Sequence, residues 1–327
     1  MSNLIMSEIY TNKVASLIYN LLLGTVKLDN HKYISNFWHK TWHKSCSIFS
    51  CPINTTIHGH KVVLNYGYTY PINSRQNPSY NNPLVELVYQ AYITKKSPIT
   101  LIDIGAAIGD TVLLVYSNCP NMIQNFYCVD GDKEFFRYLQ QNLGHFKEGT
   151  LILSMLSQED KNERELVRTH AGTASAQGEV EISARSLDSV MLEAGLQNVD
   201  VLKIDVDGFD GKILLGARYI LQQYQPALIF EWHPILCEKT GNSQTEHFEA
   251  LVACGYEKFI WFNKFGEFSH FMYGFEQESV SRLMELCLRN KFYYDWHYDV
   301  VALHHNSIIN PVVLAELSFA KARKSKF

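Results

Sequence analysis

The sequence lacks the features that would place the protein in a membrane or in a secretory pathway. No apolar run approaches the roughly 20 residues that a membrane-spanning helix requires, and the run at residues 21–23 is followed at once by glycine and charged residues. The first residues also lack the charged and apolar regions of a signal peptide. We therefore expect a cytoplasmic protein without a membrane span.

The sequence also lacks an excess of positive charge and a disulfide framework. A formal net charge of −4 gives no reason to expect nucleic-acid binding. The seven cysteines are scattered and odd in number, which favours reduced thiols over paired ones. With 327 residues, 46% of them hydrophobic, the chain is long enough for one large domain with an appendage.

The chain divides into two regions with different hydrophobic patterns, and we find no internal repeat. Residues 1–95 read as an N-terminal extension, a cap or dimer element, with a helix at residues 5–23 and a β-hairpin around Gly59-His60. Residues 96–327 alternate helical stretches with seven apolar runs, at residues 100–104, 125–129, 151–156, 200–204, 227–232, 256–262 and 299–304. This alternation predicts an α/β domain with a doubly wound, mainly parallel seven-stranded sheet. The polar residues 158–179 interrupt it and predict a loop.

A glycine-containing turn follows the first apolar run of the second region. Gly105 and Gly109 let the backbone turn sharply and approach a ligand closely. Only two of the three glycines of the dinucleotide pattern are present, which disfavours a dinucleotide. The acid at the end of the strand, Asp103, suits a ligand ammonium group. The alternative is a generic strand-to-helix turn of an α/β protein.

A second acid, Asp130, ends the next apolar run roughly 20 residues after the turn. A carboxylate at this position can accept hydrogen bonds from both hydroxyl groups of an adenosine ribose. The alternative is that Asp130 caps the helix that begins near Lys133. The spacing from Gly109 favours ribose binding.

Acids and a histidine lie at the ends of the apolar runs at residues 200–204 and 227–232. In doubly wound sheets, ligands bind at the carboxyl ends of the strands. Asp205 and Asp207 are spaced so that they can hold a divalent metal, whereas Asp210 can simply cap the next helix. Glu231 and His233 can orient and deprotonate a substrate hydroxyl. The alternative for His233 is a loop histidine before a proline.

Other polar residues allow weaker interpretations. His39 and His43 share a helical face near two cysteines, but the spacing fits no closed zinc site, which favours ordinary surface residues. In the extension, Arg75 and Tyr80 can reach a ligand, and a salt-bridged surface arginine is an equal alternative for Arg75.

Taken together, these residues resemble the FkbM family of methyltransferases over residues 98–235. The most specific part is the string Lys-Ile-Asp-Val-Asp-Gly at residues 203–208, followed by Leu-Gly-Ala at residues 215–217. The other matching segments, in the family's order and spacing, are Asp103-Ile104-Gly105-Ala106-Ala107-Ile108-Gly109, Val129-Asp130, Ser186-Leu187-Asp188, Pro226 and Glu231.

The resemblance implies a Rossmann-like methyltransferase fold and S-adenosylmethionine as the methyl donor. It also implies methylation of a hydroxyl group on a natural product, sugar or glycolipid. By the resemblance, Asp205 and Asp207 lie beside the methyl-transfer crevice, where we expect Asp205 to contact the donor. The residues that it assigns to the donor are Asp103, Gly105, Ala106 and Gly109 at the methionine end, Asp130 at the ribose and Ser157 near the adenine. The chain departs from the family at Ala107, at residues 129–131 and at the two later acids Asp207 and Asp210.

We predict His233 as the base that removes the acceptor proton, with Glu231 or Asp207 in support. The acceptor is then a small molecule or a carbohydrate, and the chain can form a homodimer. A Mg2+ ion held by Asp205, Asp207 and Glu231 is an alternative that we do not favour. Two other classes stay open, a metal-dependent glycosyltransferase that uses Asp205-Val206-Asp207 and a non-catalytic member of the fold.

Overall fold

Four helices and a hairpin form the N-terminal extension in the computed structural model, which describes residues 9–26, 32–170, 173–289 and 296–316. They are α1 (Lys13–Gly24), α2 (Lys32–Ile48), β1 (Pro52–Ile57), β2 (His60–Asn65), α3 (Tyr70–Gln76) and α4 (Asn82–Lys95). α1 begins later than predicted because the Asn12 side chain accepts hydrogen bonds from the backbone N–H groups of Val14 and Ala15, both at 3.0 Å, and so caps the helix. The hairpin turn is His58-Gly59, one residue earlier than predicted, since both residues have the positive φ of such a turn.

Strands and helices alternate through much of the rest of the described chain, as the sequence predicts. In chain order they are β3 (Ile99–Ile104), α5 (Asp110–Asn118), β4 (Ile123–Asp130), α6 (Lys133–Leu143), β5 (Gly149–Leu153), β6 (Met155–Leu156), β7 (Lys161–His170), β8 (Thr173–Arg185), α7 (Leu187–Glu193), β9 (Val201–Ile204), α8 (Asp210–Leu215), α9 (Arg218–Gln223), β10 (Ala227–Trp232), α10 (Pro234–Thr240), α11 (Glu246–Ala253), β11 (Tyr256–Asn263), β12 (Phe268–Tyr273), α12 (Gln277–Arg289) and β13 (Tyr298–His304).

One large sheet organises these elements, with the strand order β12-β11-β13-β10-β9-β3-β4-β5. The five strands from β10 to β5 pair in parallel, whereas β13 is antiparallel to both of its neighbours. β3 lies between β4, which follows it in the chain, and β9, which comes much later. The strand order therefore reverses beside β3, and doubly wound sheets bind their ligands at such a reversal, outside the carboxyl ends of the strands.

The predicted α/β class with a Rossmann-like, doubly wound sheet is confirmed, with two differences in detail. The sheet has eight strands among the described residues rather than seven, because β12 pairs along the free edge of β11. The prediction of a loop at residues 158–179 was wrong for the described residues of that segment, since β7 and β8 pair there as an antiparallel hairpin. β6 joins β8 in the same small sheet.

Two hydrophobic clusters cover the two faces of the large sheet, and β3 supplies both. Leu101 belongs to one cluster, and Ile102 and Ile104 belong to the other; in a strand, alternate side chains point to opposite faces. The cluster that contains Leu101 also contains Tyr19 and Trp42 of the extension. The extension therefore shares a core with the sheet. No helix among the described residues is long and apolar enough to cross a membrane.

Candidate functional site

A cavity of about 770 Å³ opens at the carboxyl ends of β3, β4, β9 and β10, beside the reversal of strand order. Six of the ten residues predicted for the site lie on its wall, and they are Gly105, Asp130, Asp205, Asp207, Glu231 and His233. The predicted residues come from four separate segments of the chain. The parallel sheet brings them together because it places the carboxyl ends of these strands side by side.

The two glycines of the turn after β3 act in different ways. Gly105 has a φ of +72°, and a Cβ atom there would collide with the carbonyl oxygen of Asp205. The backbones at the ends of β3 and β9 are therefore in direct contact at this point of the cavity wall. Gly109 has a φ of +90°, and a Cβ atom there would lie 2.6 Å from Cδ1 of Leu143. Its lack of a side chain therefore serves the packing of α6, and the cavity wall includes neither Gly109 nor Ala106.

Asp130 ends β4 on the cavity wall and is held by two backbone hydrogen bonds. The N–H of Ala107 donates to Oδ2 at 2.7 Å, and the N–H of Asp132 donates to Oδ1 at 2.8 Å. Burial raises the pKa of Asp130 to about 7, although these hydrogen bonds oppose the rise. Each carboxylate oxygen has a second lone pair, so the side chain can accept further hydrogen bonds from a diol in the cavity.

Asp103 lies beneath the cavity and not on its wall. Its side chain is 1% exposed, and Nζ of Lys203 lies 3.0 Å from its Oδ1. The Thr111 hydroxyl donates to its other oxygen. Lys203 and Thr111 thus occupy the carboxylate that we predicted would meet a ligand ammonium group. The buried carboxylate therefore takes its partners from the protein itself, and its contact with a ligand stays a prediction.

Lys203 is a residue that the sequence analysis overlooked. Nζ also lies 3.5 Å from Oδ2 of Asp205 and donates to the carbonyl oxygens of Ile104 and Gly105, at 3.4 and 3.3 Å. Burial alone would lower the pKa of Lys203, but Asp103 and Asp205 outweigh burial and raise it above its ordinary value. The available signal was a lysine inside a buried strand, since such a charge requires a partner.

Acidic side chains crowd the end of the cavity formed by β9, β10 and β13. Glu231 on β10 pairs across the sheet with Asp299 on β13. Burial, followed by the negative charges of Asp205 and Asp210, raises the pKa of Glu231 well above its ordinary value. Burial and then Asp205 raise the pKa of Asp299 to about 8. This end of the site can therefore hold protons near neutral pH.

Two histidines stack beside these acids. His233 follows β10 on the cavity wall, is 4% exposed, and its ring lies 5.0 Å from that of His297. Nε2 of His297 lies 3.4 Å from Oε1 of Glu231. Glu231 and His233 thus lie in one compartment, and an imidazole there can accept a proton from a ligand hydroxyl.

The loop after β9 is organised by Asp210 and carries the predicted Asp207. The carboxylate of Asp210 accepts hydrogen bonds from the backbone N–H groups of Val206 and Gly208, at 3.1 and 3.2 Å. Asp210 therefore orders the start of α8, close to the capping role that was its alternative interpretation. Asp207 has a φ of +45° in this loop and lines the cavity.

The extension also supplies part of the cavity wall, where the sequence analysis expected Arg75 and Tyr80 to reach a ligand. Tyr68, Tyr70 and Tyr80 all line the cavity. The Tyr68 hydroxyl donates to Oδ2 of Asp110 at 2.5 Å, and burial raises the pKa of Asp110 to about 7. Arg75 turns away instead and donates to the backbone carbonyl of Leu23 at 2.9 Å.

Ser157 and the candidate zinc histidines lie off the cavity. Ser157 is fully buried, and its backbone N–H donates to the carbonyl of Arg185. The neighbouring residues Met155 and Leu156 line the cavity in its place. Both His39 and His43 are exposed on α2. Among the described residues, no group of three or more histidines, cysteines or acids is arranged to hold a metal ion.

Comparisons with known proteins give a family match for the segment that carries the site. Residues 103–258 match the family described as Methyltransferase FkbM domain. No curated protein sequence matches the chain. The segment contains every strand whose carboxyl end forms the cavity apart from the beginning of β3.

Solved structures show weaker similarity. A methyltransferase FkbM from Methylobacillus flagellatus KT is 16% identical, with a TM-score of 0.33 over 41% of this chain and 33% of that one. The match thus spans a third of that relative's length. A precorrin-6y C5,15-methyltransferase from Geobacter metallireducens GS-15 is 12% identical, with a TM-score of 0.35 over 64% of this chain and 81% of that one. The fibrillarin pre-rRNA processing protein of Methanococcus jannaschii is 12% identical, with a TM-score of 0.37 over 64% and 68%.

Proposed function

We propose that the protein transfers a methyl group from S-adenosylmethionine to a hydroxyl group of a natural product, sugar or glycolipid, because residues 103–258 match the methyltransferase FkbM family. The observation that carries the proposal is the position of Asp130. Its carboxylate lines the same cavity as the Gly105 turn and the acidic compartment around Glu231 and His233. A donor and an acceptor bound there would meet at the ends of β3 and β9.

The donor half of the cavity lies along β3 and β4. Asp130 would accept hydrogen bonds from the two ribose hydroxyls, and the apolar side chains of Met155 and Leu156 would contact the adenine. Asp205, next to the Gly105 turn, would face the methionine end of the donor. Lys203 would act indirectly, because its charge fixes Asp103 and Asp205 on either side of the turn.

The acceptor half lies between β10 and the extension. S-Adenosylmethionine would supply a methyl group activated by its sulfonium, and an acceptor hydroxyl that took this methyl group would have one proton to release. His233 would take that proton, with Glu231 or Asp207 holding the imidazole in place. The raised pKa of Glu231 means that this acid can also share a proton in the compartment.

We also propose that residues 1–95 close the acceptor side. Tyr70, Tyr80 and Asn81 of this extension line the same cavity as the acids at the strand ends. Tyrosine combines a flat apolar ring with one hydroxyl, so it can contact the ring of a sugar and also donate a hydrogen bond. Acceptor specificity would then depend on the extension, while donor binding would depend on residues 96–327.

A cytoplasmic location fits this function, and we propose it on the state of the cysteines. All seven are free thiols, of which four are buried. Thiols persist in a reducing compartment and pair in oxidising ones. S-Adenosylmethionine is then available without transport.

Isothermal titration with S-adenosylhomocysteine tests the donor site. The wild type should bind, and Asp130→Ala should weaken binding by at least about tenfold, since a hydrogen bond to a charged group contributes about 1.5–3 kcal/mol. Glu159→Ala, which removes an exposed acid elsewhere, is the matched control and should bind like the wild type. Absence of binding by the folded wild type would contradict the proposal.

A further inference from the structure

The N-terminal extension has a charge distribution unlike that of the rest of the chain. Residues 1–95 contain eight lysines and arginines against three acids, Glu8, Asp29 and Glu86, which gives a net charge of +5, whereas the whole chain carries −4. The remainder is therefore strongly acidic. A positive region on an acidic protein indicates a partner with negative charge.

One side of α1 exposes apolar side chains to solvent. Val14, Leu17 and Leu21 are 63%, 62% and 62% exposed, and Tyr10, just before the helix, is 88% exposed. Spacings of three and four residues put them on one helical face. Ala15, Tyr19 and Leu23 on the opposite face are buried, so the exposed face points away from the protein core.

The exposed side of α2 combines apolar groups with positive charge. Phe37 and Ile48 are 71% and 63% exposed, and the exposed Lys40 and Lys44 lie between them at helical spacing. Lysine side chains with apolar neighbours can lay their stems on an apolar layer while the ammonium groups reach charged groups at its surface. This face therefore suits a layer that is apolar inside and negative at its boundary.

Side-chain contacts join α1 and α2, so their exposed faces belong to one packed unit. Nε1 of Trp38 donates to the carbonyl of Leu22 at 3.3 Å. The rings of Trp38 and Trp42 stack 6.0 Å apart, and Trp42 packs edge-on against Tyr19 of α1 at 5.6 Å.

We propose that α1 and α2 dock the protein on an anionic lipid surface. Charge complementarity selects this occupant over a second copy of the chain. A two-fold interface brings the same surface patch of both copies together, and this patch contains Lys40 and Lys44 but no acid among the described residues of α1 and α2 to pair with them. An anionic bilayer instead offers negative headgroups to the lysines and acyl chains to Leu17, Leu21 and Phe37.

Co-sedimentation of the full chain with vesicles tests the proposal. Binding should be strong on phosphatidylcholine vesicles that contain about 30% phosphatidylserine and weak on pure phosphatidylcholine. Lys40→Glu with Lys44→Glu should weaken binding about 30-fold or more, at about 1 kcal/mol for each lysine near the surface. Leu17→Ser with Leu21→Ser should weaken it at least about tenfold, through loss of buried apolar area.

Two matched pairs serve as controls outside the extension. Leu192→Ser with Ile308→Ser removes apolar side chains of similar exposure, and Lys147→Glu with Arg282→Glu reverses two exposed charges. Both pairs should bind vesicles like the wild type, and all variants should keep the wild-type unfolding midpoint.

Three results would overturn the proposal. The first is equal binding to neutral and anionic vesicles, and the second is a control pair that weakens binding as much as the α1 and α2 pairs. The third is a dimeric mass in solution that Leu17→Ser with Leu21→Ser converts to a monomeric one, which would identify a second copy as the occupant of the α1 face.

Discussion

Replacement of Lys203 by methionine should destabilise the protein strongly, because the site depends on a buried ion pair. Met keeps the length and apolar stem of the lysine but removes the charge 3.0 Å from Asp103. The Asp103 side chain, 1% exposed, would then keep only the Thr111 hydroxyl as a partner. Removal of one partner of a buried pair costs about 3–5 kcal/mol, since the other charge is left uncompensated in the interior.

Urea unfolding followed by circular dichroism measures this loss, and an exposed ion pair provides the comparison. Lys95 and Asp200 lie 2.8 Å apart with side chains 33% and 20% exposed, so Lys95→Met should cost no more than about 1 kcal/mol. Adding Asp103→Asn to Lys203→Met should recover part of the loss, because the uncompensated charge is then gone. A cost for Lys203→Met no greater than that for Lys95→Met would refute the reasoning.

Three further outcomes follow from the site. His233→Ala should lower kcat at least about 100-fold, as expected for loss of a general base, while S-adenosylhomocysteine binds as before; an unchanged kcat would remove His233 from the mechanism. The pKa values of Asp110, Asp130 and Asp210 are raised to about 7. Between about pH 4 and pH 7 these three carboxyl groups therefore bind more protons in the folded state than in the unfolded chain. Their contribution to the free energy of unfolding falls as the pH rises through that range. Thermal unfolding should therefore have a higher midpoint at about pH 5.5 than at about pH 8, and Asp130→Asn should reduce the difference. Methyl transfer should survive exhaustive EDTA treatment, whereas a loss that Mg2+ reverses would support the metal alternative.

The sheet could be predicted from the sequence because its strands are buried on both faces. β3 is buried along its whole length, which leaves a continuous apolar run in the sequence. The hairpin of β7 and β8 left no such run, since its residues are largely polar and its pairing is antiparallel and local. Hydrophobic periodicity also does not predict helix ends that are set by a single side chain, such as the start of α1 at the Asn12 cap.

The candidate site was predictable where it depends on strand ends and not where it depends on long-range packing. Asp130 and Glu231 lie at the carboxyl ends of parallel strands of one sheet, so their sequence positions imply that they line the same cavity. The pairing of Lys203 with Asp103 joins two strands far apart in the chain. The contribution of Tyr68 depends on how the extension packs against α5, which no local pattern encodes.

A crystal structure of the protein with S-adenosylhomocysteine tests the central claim most directly. We expect the ribose hydroxyls within hydrogen-bond distance of the Asp130 carboxylate, the adenine near Met155, and the sulfur atom directed towards the compartment of Glu231 and His233. A ligand bound elsewhere, or one whose ribose lies away from Asp130 with its sulfur turned from His233, would contradict the account.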